Sequence, residues 1–225
     1  MKLLIDDADV SKIKALYSYY PVDGVTTNPT ILAKSGKKPY EVLKEIREFI
    51  GENADLHVQV VSRTAEEMVQ EAQAIREKLG ANTFIKVPVV KEGVKAIKIL
   101  SAQGVKITAT AIYTPMQAYL AAKAGADFAA PYVNRIDNLG ADGVKTTQII
   151  HDIFKKNHFK TEVLAASFKN AMQVQELCAW GVGGATVSPD ILDTFLHHAA
   201  VTAAVDTFTA DFYNLCGEGK TMCND

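Results

Sequence analysis

One lysine interrupts an otherwise apolar stretch, Thr83–Pro88, whose sequence is Thr-Phe-Ile-Lys-Val-Pro. Turn-forming residues precede the stretch and a proline closes it, which predicts a short buried strand. Burial disfavours the ammonium form and lowers the pKa of a lysine, so Lys86 could add to a ketone and form a Schiff base. The alternative is a structural lysine whose stem is covered while its ammonium reaches water or pairs with a carboxylate.

Further polar residues lie at the carboxyl ends of the other apolar runs. They are Asp6, Thr26, Asn28, Gln59, Thr108, Thr110, Tyr132, Asn134, Arg135, Ser167 and Lys169. A Schiff base acts as an electron sink for cleavage of a carbon–carbon bond, and each step of that reaction moves a proton. A general acid–base is therefore required. The candidates are Asp6, Tyr132 and a water held by Gln59 and Thr110, although Asp6 could instead cap the turn that follows it.

Arg135, Ser167 and Lys169 offer cationic and hydroxyl donors for a phosphate group. Arginine pairs with phosphate in a bidentate manner, and lysine acts as a point charge. Two alternatives remain open for these residues. Arg135 could form a salt bridge with Asp137, and Ser167 could be a turn hydroxyl at a strand end.

Eight apolar runs predict strands, and a helical pattern follows each one. The predicted strands are Lys2–Asp6, Gly24–Asn28, Leu56–Val61, Thr83–Pro88, Lys106–Ala111, Asp127–Val133, Glu162–Ser167 and Gly184–Ser188. The principal predicted helices are 10–19, 39–50, 65–79, 91–103, 115–124, 143–156, 170–180, a helical stretch from 189, and 201–215.

Strict alternation predicts a parallel sheet, and eight units in 225 residues favour a single closed (β/α)8 TIM barrel with an additional C-terminal helix. We expect residues 1–216 to form the barrel and its C-terminal helix, and residues 217–225 to form a flexible tail. A doubly wound open sheet is the competing topology. No Gly-x-Gly-x-x-Gly motif follows the first strand, which weakens the dinucleotide-binding version of that fold.

Strand alternation indicates which side chains share a face. Three predicted strands have one fully apolar face and one face with polar residues. The faces with polar residues are His57 with Gln59, Phe84 with Lys86, and Thr108 with Thr110. The active site of a barrel lies at the carboxyl ends of its strands. If the barrel closes, one mouth receives Asp6, Gln59, Lys86 and Thr110.

Composition argues against several classes of function. The net charge is -2, with 24 basic and 26 acidic residues and no basic block, which argues against a nucleic-acid partner. No apolar run approaches the roughly 18 residues of a membrane span. The N-terminus turns acidic too early for a signal peptide, and the three cysteines form no CxxC pair. We therefore expect a cytoplasmic protein with reduced thiols.

A metal-dependent aldolase or isomerase on the same fold is one rival interpretation. Only His57 of the five histidines lies in a predicted strand, and His197 and His198 are adjacent on a helix and point apart. No ligand set emerges, so we predict no metal. A non-catalytic sugar-phosphate binder, in which Lys86 only pairs with a carboxylate, is the other rival.

Four motifs in combination resemble the transaldolase family, in particular its small (type 3B-like) branch of fructose-6-phosphate aldolases and short transaldolases. They are Gly24–Thr30, Ile85–Pro88, Pro131–Asp137 and Ala165–Lys169, and the resemblance covers essentially the whole chain. It implies a class I, Schiff-base mechanism on a (β/α)8 barrel, without metal or organic cofactor. The implied substrate is a sugar phosphate.

The resemblance also implies roles for individual residues. Lys86 would be the Schiff-base lysine, and Asp6 would handle protons at the cleaved bond. Thr26 and Asn28 would bind the dihydroxyacetone portion, and Asn134 would also bind the substrate. The phosphate would bind Arg135, Ser167 and Lys169. Many transaldolases have arginine at the position of Lys169, so the charge is kept and the bidentate fork is lost.

Two positions bear on the branch. Family transaldolases typically have glutamate and phenylalanine where this chain has Gln59 and Tyr132, whereas the aldolases have glutamine and tyrosine. The resemblance therefore favours cleavage of fructose 6-phosphate to dihydroxyacetone and glyceraldehyde 3-phosphate. The alternative is a small transaldolase that transfers dihydroxyacetone from fructose 6-phosphate to erythrose 4-phosphate in the pentose phosphate pathway.

The small branch typically forms homo-oligomers, decamers of two stacked pentameric rings in which the C-terminal helix reaches a neighbour. The aromatic residues Phe208, Phe212 and Tyr213 are compatible with such a helix. They are equally compatible with a helix that packs on its own barrel, and the sequence leaves this open.

Overall fold

The computed structural model describes residues 1–224, and its sheet is a closed barrel of eight parallel strands in sequential order. The strands are β1 (Lys2–Asp6), β2 (Gly24–Thr26), β3 (Asp55–Gln59), β4 (Phe84–Pro88), β5 (Ile107–Ile112), β6 (Phe128–Pro131), β7 (Glu162–Ala165) and β8 (Gly184–Val187). Pairing of β1 with β8 closes the ring. The predicted (β/α)8 barrel with a C-terminal helix is confirmed.

Helices follow every strand. They are α1 (Val10–Tyr19), α2 (Pro29–Lys34), α3 (Pro39–Ile50), α4 (Ala65–Leu79), α5 (Lys91–Ala102), α6 (Pro115–Ala124), α7 (Val133–Asp137), α8 (Gly143–Lys156), α9 (Ala171–Trp180), α10 (Pro189–Thr194) and α11 (Ala199–Cys216). Asp9, Thr64 and Thr114 cap α1, α4 and α6 through side-chain oxygens that accept backbone N–H groups.

Two short helices were not predicted, and both shorten the strand before them. The strand predicted to reach Asn28 ends at Thr26, because the Asn28 side chain caps α2 by accepting from the Ile31 N–H at 3.0 Å. The strand predicted to reach Val133 ends at Pro131, where α7 begins two residues later. Helices of five or six residues span too few turns to give a clear periodic pattern, so their sequences did not reveal them.

The barrel has two apolar layers. The layer between strands and helices contains completely buried residues from the outward faces of the strands, including Ile5, Val25, Ile85, Ile107 and Ala129. A separate inner cluster consists of Leu4, Phe84, Phe128 and Leu164. The inner cluster places Phe84, and hence Lys86 two residues on, on the interior face, as the alternation predicted.

His57 lies beside this inner cluster. Its ring stacks on Phe84 with centroids 4.5 Å apart, and its Nδ1 is 2.8 Å from Thr108 Oγ1. The side chain is fully buried, and burial holds the pKa of His57 well below its usual range, helped by the positive charge of Lys86. The interior below the mouth is therefore filled and carries a neutral imidazole.

The chain divides into two compact units, of which the first is Met1–Leu192 and the second begins at Asp193. The first unit contains all eight strands. The second contains α11, whose N-terminal N–H of Ala200 donates to His198 Nδ1 at 3.3 Å. The predicted division into a domain 1–216 and a flexible tail 217–225 stays a prediction, and residue 225 lies outside the described residues. No helix within residues 1–224 is long and apolar enough to span a bilayer.

Candidate active site

Lys86 lies near the carboxyl end of β4, with Gln59 of β3 and Thr108 of β5 as its register partners. Its side chain is 6% exposed, and its Nζ donates to the backbone oxygen of Thr27 at 2.8 Å. Burial lowers the pKa of Lys86, and the negative charge of Asp6 opposes the shift. This environment favours the neutral amine, which is the form that attacks a carbonyl carbon.

Asp6 ends β1 and faces the same mouth. Its Oδ1 accepts a hydrogen bond from Thr26 Oγ1 at 2.7 Å, and Thr26 Oγ1 is 2.6 Å from the hydroxyl of Thr186. Burial raises the pKa of Asp6, while the positive charge of Lys86 and the bond from Thr26 oppose the shift. The lowered pKa of Lys86 favours a neutral amine, and the raised pKa of Asp6 favours a protonated carboxyl. Such a pair is suited to general acid–base catalysis.

The capping role considered for Asp6 belongs to its neighbours instead. Asp7 Oδ1 accepts from the N–H groups of Ala8 and Asp9 at 2.6 and 2.9 Å. Asp9 then caps α1. The Asp6 carboxyl is thus kept for the interior of the barrel.

Tyr132 and Thr110 form a pair of hydroxyl groups, 2.9 Å apart, and either can be the donor. The register of β5 and β6 shifts between Ala109 and Ile112, and Ala111 has a φ of 58°. This bulge changes the direction of the strand directly after Thr110, which is a common device beside active sites. The ring of Tyr113 packs edge-on against Tyr132 with centroids 5.7 Å apart.

Gln59 offers an acceptor beside Lys86. Its Oε1 is buried and has no hydrogen-bond partner within residues 1–224. A buried acceptor without a partner is unfavourable by about 1–3 kcal/mol, so this oxygen gains from a ligand that donates to it. A substrate hydroxyl or a reacting water would meet that need.

The predicted phosphate-binding residues lie on the rim after β6 and β7. Asn134 and Arg135 belong to α7, and the Asn134 N–H donates to the oxygen of Ser167 at 2.8 Å. Ser167 adopts a φ of 60°, in the left-handed region, where the chain leaves β7. Arg135 and Lys169 are exposed, so an anion in solution can reach both side chains.

The salt bridge considered for Arg135 is absent from the ion pairs of the described chain. Asp137 instead accepts from the Gly143 N–H at 2.7 Å and from Gln173 Nε2 at 2.6 Å. The Arg135 guanidinium lies over the ring of Tyr132, with Cζ 4.6 Å from the centroid. Arg135 is therefore available to an anion at the mouth.

Some of the predicted site residues contact one another directly, and others are held by contacts outside the set. Direct contacts link Asp6 with Thr26, Thr110 with Tyr132, and Arg135 with Tyr132. Asn28 uses its side-chain oxygen as a helix cap, which leaves its amide N–H groups for a ligand. Lys169 is held at its backbone, where its N–H donates to Gln173 Oε1 at 2.7 Å.

Two contributors to the site were not among the residues predicted from the sequence. They are the hydroxyl of Thr186 and the backbone oxygen of Thr27. Thr186 could have been found by its alternation with Ala185 and Val187 on a predicted strand. The Thr27 oxygen carries no sequence signal, because any residue supplies it. No group of three or more His, Cys, Asp or Glu in the described chain is placed to hold a metal ion.

Comparison with known proteins agrees with this geometry. The chain matches the family described as Transaldolase/Fructose-6-phosphate aldolase over residues 3–223. It is 39% identical over 212 residues to a probable transaldolase of Methanococcus vannielii, covering 94% of this chain and 97% of the relative. It is 36% identical over 223 residues to a probable transaldolase of Nitrosopumilus maritimus, covering 99% of both chains.

A probable fructose-6-phosphate aldolase of Streptococcus pneumoniae is 38% identical over 214 residues, covering 95% of this chain and 96% of the relative. Relatives with either name thus match at similar identity and coverage. The matched region contains β2 to β8, β1 from its second residue onward, and every predicted site residue. The chain belongs to the transaldolase/fructose-6-phosphate aldolase family.

Proposed function

We propose that this protein is a class I aldolase that cleaves and forms fructose 6-phosphate, with dihydroxyacetone and glyceraldehyde 3-phosphate as the other reactants. The observation that carries the proposal is the Tyr132 hydroxyl, 2.9 Å from Thr110 Oγ1. A phenol at this place can protonate the three-carbon enamine, so that the fragment leaves by hydrolysis without waiting for an acceptor aldose.

Lys86 starts the reaction by adding its neutral amine to the ketone and expelling water. The resulting iminium accepts the electron pair of the bond between carbons 3 and 4. Asp6 first gives its proton to the departing water, and the resulting carboxylate takes the proton of the hydroxyl on carbon 4 as glyceraldehyde 3-phosphate departs. Tyr132, with Gln59 and Thr110 orienting a water, returns a proton to the enamine carbon. One water then hydrolyses the iminium and releases dihydroxyacetone and Lys86.

The substrate is held at both ends of its chain. Thr26, Asn28 and Asn134 bind the hydroxyl groups of the three-carbon portion. Arg135, Ser167 and Lys169 bind the phosphate, with Arg135 providing the planar fork and Lys169 a point charge. No cofactor takes part in this chemistry.

Transfer of dihydroxyacetone to erythrose 4-phosphate is the second candidate. Its support is that similar relatives from M. vannielii and N. maritimus are named probable transaldolases. Both reactions use the same lysine and the same phosphate rim. They differ in the fate of the enamine, which Gln59 and Tyr132 control.

One experiment separates these functions. The protein is incubated with fructose 6-phosphate, with and without erythrose 4-phosphate, and free dihydroxyacetone and sedoheptulose 7-phosphate are quantified. Free dihydroxyacetone at a similar rate in both reactions supports the aldolase. Turnover that requires erythrose 4-phosphate supports the transaldolase. Borohydride trapping with fructose 6-phosphate, followed by mass spectrometry, must place the adduct on Lys86, and its absence there would exclude both functions.

Assembly and compartment remain predictions. We propose a homo-oligomer, a decamer of two pentamers, acting in the cytoplasm on a sugar phosphate and binding neither nucleic acid nor membrane. Light scattering coupled to size-exclusion chromatography measures the assembly. A mass of one or two chains would contradict it.

A further inference from the structure

An open groove of about 490 Å³ lies over the carboxyl ends of β3 and β4. Its walls are mainly apolar and consist of Pro29, Val60, Val61, Met68, Pro88 and Val90. Gln59 and Arg63 also line it. Val61 and Val90 are 67% and 52% exposed, so apolar surface is left uncovered here. Gln59, which lines the groove, is the register partner of Lys86, so the groove lies beside the strand that carries the lysine.

Arg63 is the one cationic residue among those that line this groove, and within residues 1–224 it takes part in no ion pair. Four carboxylates of the neighbouring turns are all engaged elsewhere: Glu66 with Lys95, Glu67 with Thr64, Glu71 with Val61 and Ser62, and Glu92 with Ala65. No carboxylate of the described residues lies within ion-pair distance of the guanidinium. An anionic ligand group would supply a counter-ion.

The loop that carries Arg63 is held in place. Glu71 accepts from the Val61 N–H at 2.7 Å and from the Ser62 hydroxyl at 2.7 Å. Arg63 directly follows these anchored residues, and the capped start of α4 follows it. The cation is therefore presented at a fixed side of the mouth, which reduces the ordering cost of binding.

The groove and the phosphate rim lie on opposite sides of the barrel mouth. In a closed ring of eight sequential strands, β2 is opposite β6 and β3 is opposite β7. A ketose bound through Lys86 with its phosphate after β6 and β7 must point its other arm, carbon 1, toward β2 and β3. The groove lies where a longer substituent at that end would extend.

We propose that this groove is a second substrate subsite, which accepts hydroxyketone donors whose carbon 1 arm is a short apolar chain ending in an anionic group. The inference rests on the proposed function. The apolar walls contact the methylene groups, and Arg63 pairs with the terminal carboxylate. A donor of this class is 5-hydroxy-4-oxopentanoate, in which two methylene groups separate the ketone from the carboxylate.

The chemistry with this donor balances as it does with dihydroxyacetone. Lys86 adds to the ketone and loses one water, and the hydroxymethyl carbon gives up a proton to form the enamine. That carbon bonds to the aldehyde carbon of glyceraldehyde 3-phosphate, whose oxygen takes a proton. Hydrolysis with one water frees the lengthened ketose and the lysine. No oxidant or reductant is required.

The test measures kcat/KM for 5-hydroxy-4-oxopentanoate and for its neutral amide, 5-hydroxy-4-oxopentanamide, with glyceraldehyde 3-phosphate as acceptor. Because Arg63 is exposed, we expect a preference of about fivefold for the carboxylate over the amide. Arg63→Gln abolishes that preference, and Arg63→Lys retains part of it. Lys91→Gln, which removes a nearby exposed cation outside the groove, leaves the preference unchanged.

Trapping with borohydride separates the possible failures. If dihydroxyacetone gives no adduct on Lys86, the proposed function fails and the subsite fails with it. If dihydroxyacetone is trapped but the two longer ketones are not, the subsite alone is wrong. Equal preference for the carboxylate in the wild type and in Arg63→Gln would likewise overturn the subsite.

Discussion

Lys86 and Asp6 show how burial prepares single residues for chemistry. Each is a charged residue placed where the charged form is disfavoured, so the pKa of the lysine falls and that of the carboxyl rises. Such shifts reduce the stability of the fold, because the unfolded chain ionises both groups freely. The barrel retains them because a neutral amine beside a proton donor is what the proposed reaction needs.

Replacing Lys86 with Met should abolish Schiff-base trapping and stabilise the protein. We expect the free energy of unfolding at pH 7 to rise by about 1–3 kcal/mol, because a buried polar group becomes apolar. The folded-state pKa of Lys86 is lowered, so the wild type loses stability as pH falls from about 10.4, where the unfolded lysine begins to bind its proton. The advantage of the variant should therefore shrink as pH rises toward that value.

Urea unfolding at several pH values between 7 and 10.5 measures this difference. An advantage that is independent of pH would show that Lys86 is not held in a state that disfavours its charge. Lys98→Met, an exposed position on α5, serves as the control and should show no such dependence.

Replacing Tyr132 with Phe should shift the protein from cleavage toward transfer. The variant keeps the ring under Arg135 and loses the hydroxyl that contacts Thr110. Loss of a general acid should lower dihydroxyacetone release by about 100-fold, while transfer to erythrose 4-phosphate persists. Tyr113→Phe, which removes the hydroxyl of the neighbouring ring, is the matched control. An unchanged ratio of the two activities in Tyr132→Phe would contradict the role given to this hydroxyl.

At the scale of elements, the fit of helices against strands sets the position of the site residues. Gly93 in α5 shows this closely, because a Cβ atom at this position would lie 1.9 Å from the oxygen of Pro88 at the end of β4. Only glycine lets the helix approach so near. The carboxyl end of the strand that carries Lys86 is thereby fixed.

Replacing Gly93 with Ala should force β4 and α5 apart. We expect a loss of about 1–3 kcal/mol in the free energy of unfolding, as is typical of overpacking. Lys86 should also react more slowly with dihydroxyacetone, because its strand end is displaced. Thermal unfolding and the rate of borohydride-trapped adduct formation measure the two effects. Normal values for both would mean that the helix shifts without moving the strand.

At the scale of the whole molecule, closure of the barrel creates a buried interior that disfavours the charged form of an ionisable side chain. His57 is the clearest case. Its ring forms a hydrogen bond with Thr108 and stacks on Phe84, and both contacts require β3, β4 and β5 to be adjacent. Burial in this interior, together with Lys86, keeps the imidazole neutral. The unfolded chain has no such restriction.

His57 should therefore make the barrel less stable in acid. Its pKa is lowered in the folded state, so its effect is small above about pH 6.5 and destabilisation grows as pH falls below that value. Relative to His57→Phe, we expect the wild type to lose up to about 1.4 kcal/mol per pH unit in this range. His158→Phe, which replaces an exposed histidine, is the comparison. Parallel pH curves for the wild type and His57→Phe would refute the assignment.

Features that depend on local order along the chain could be predicted from the sequence. Eight apolar runs, each followed by a helical pattern, predicted the strands and the closed barrel. The alternation of polar and apolar residues within a strand predicted the inward face of Lys86. The caps Asp9, Thr64 and Thr114 depend on equally local order, since each lies directly before the helix whose N–H groups donate to it. These signals repeat within a few residues, so no distant contact is needed to interpret them.

Contacts that depend on closure of the ring could be found only in the folded barrel. The barrel placed the Thr27 oxygen against Lys86, 59 residues away, and Thr186 against Thr26, 160 residues away. Asp137 accepts a hydrogen bond from Gln173, and the Arg135 guanidinium lies over the ring of Tyr132. The directions of the pKa shifts followed as well, because burial is a property of the closed barrel. The strand pattern could place Lys86 inside the barrel, but only its packed surroundings could disfavour its charge.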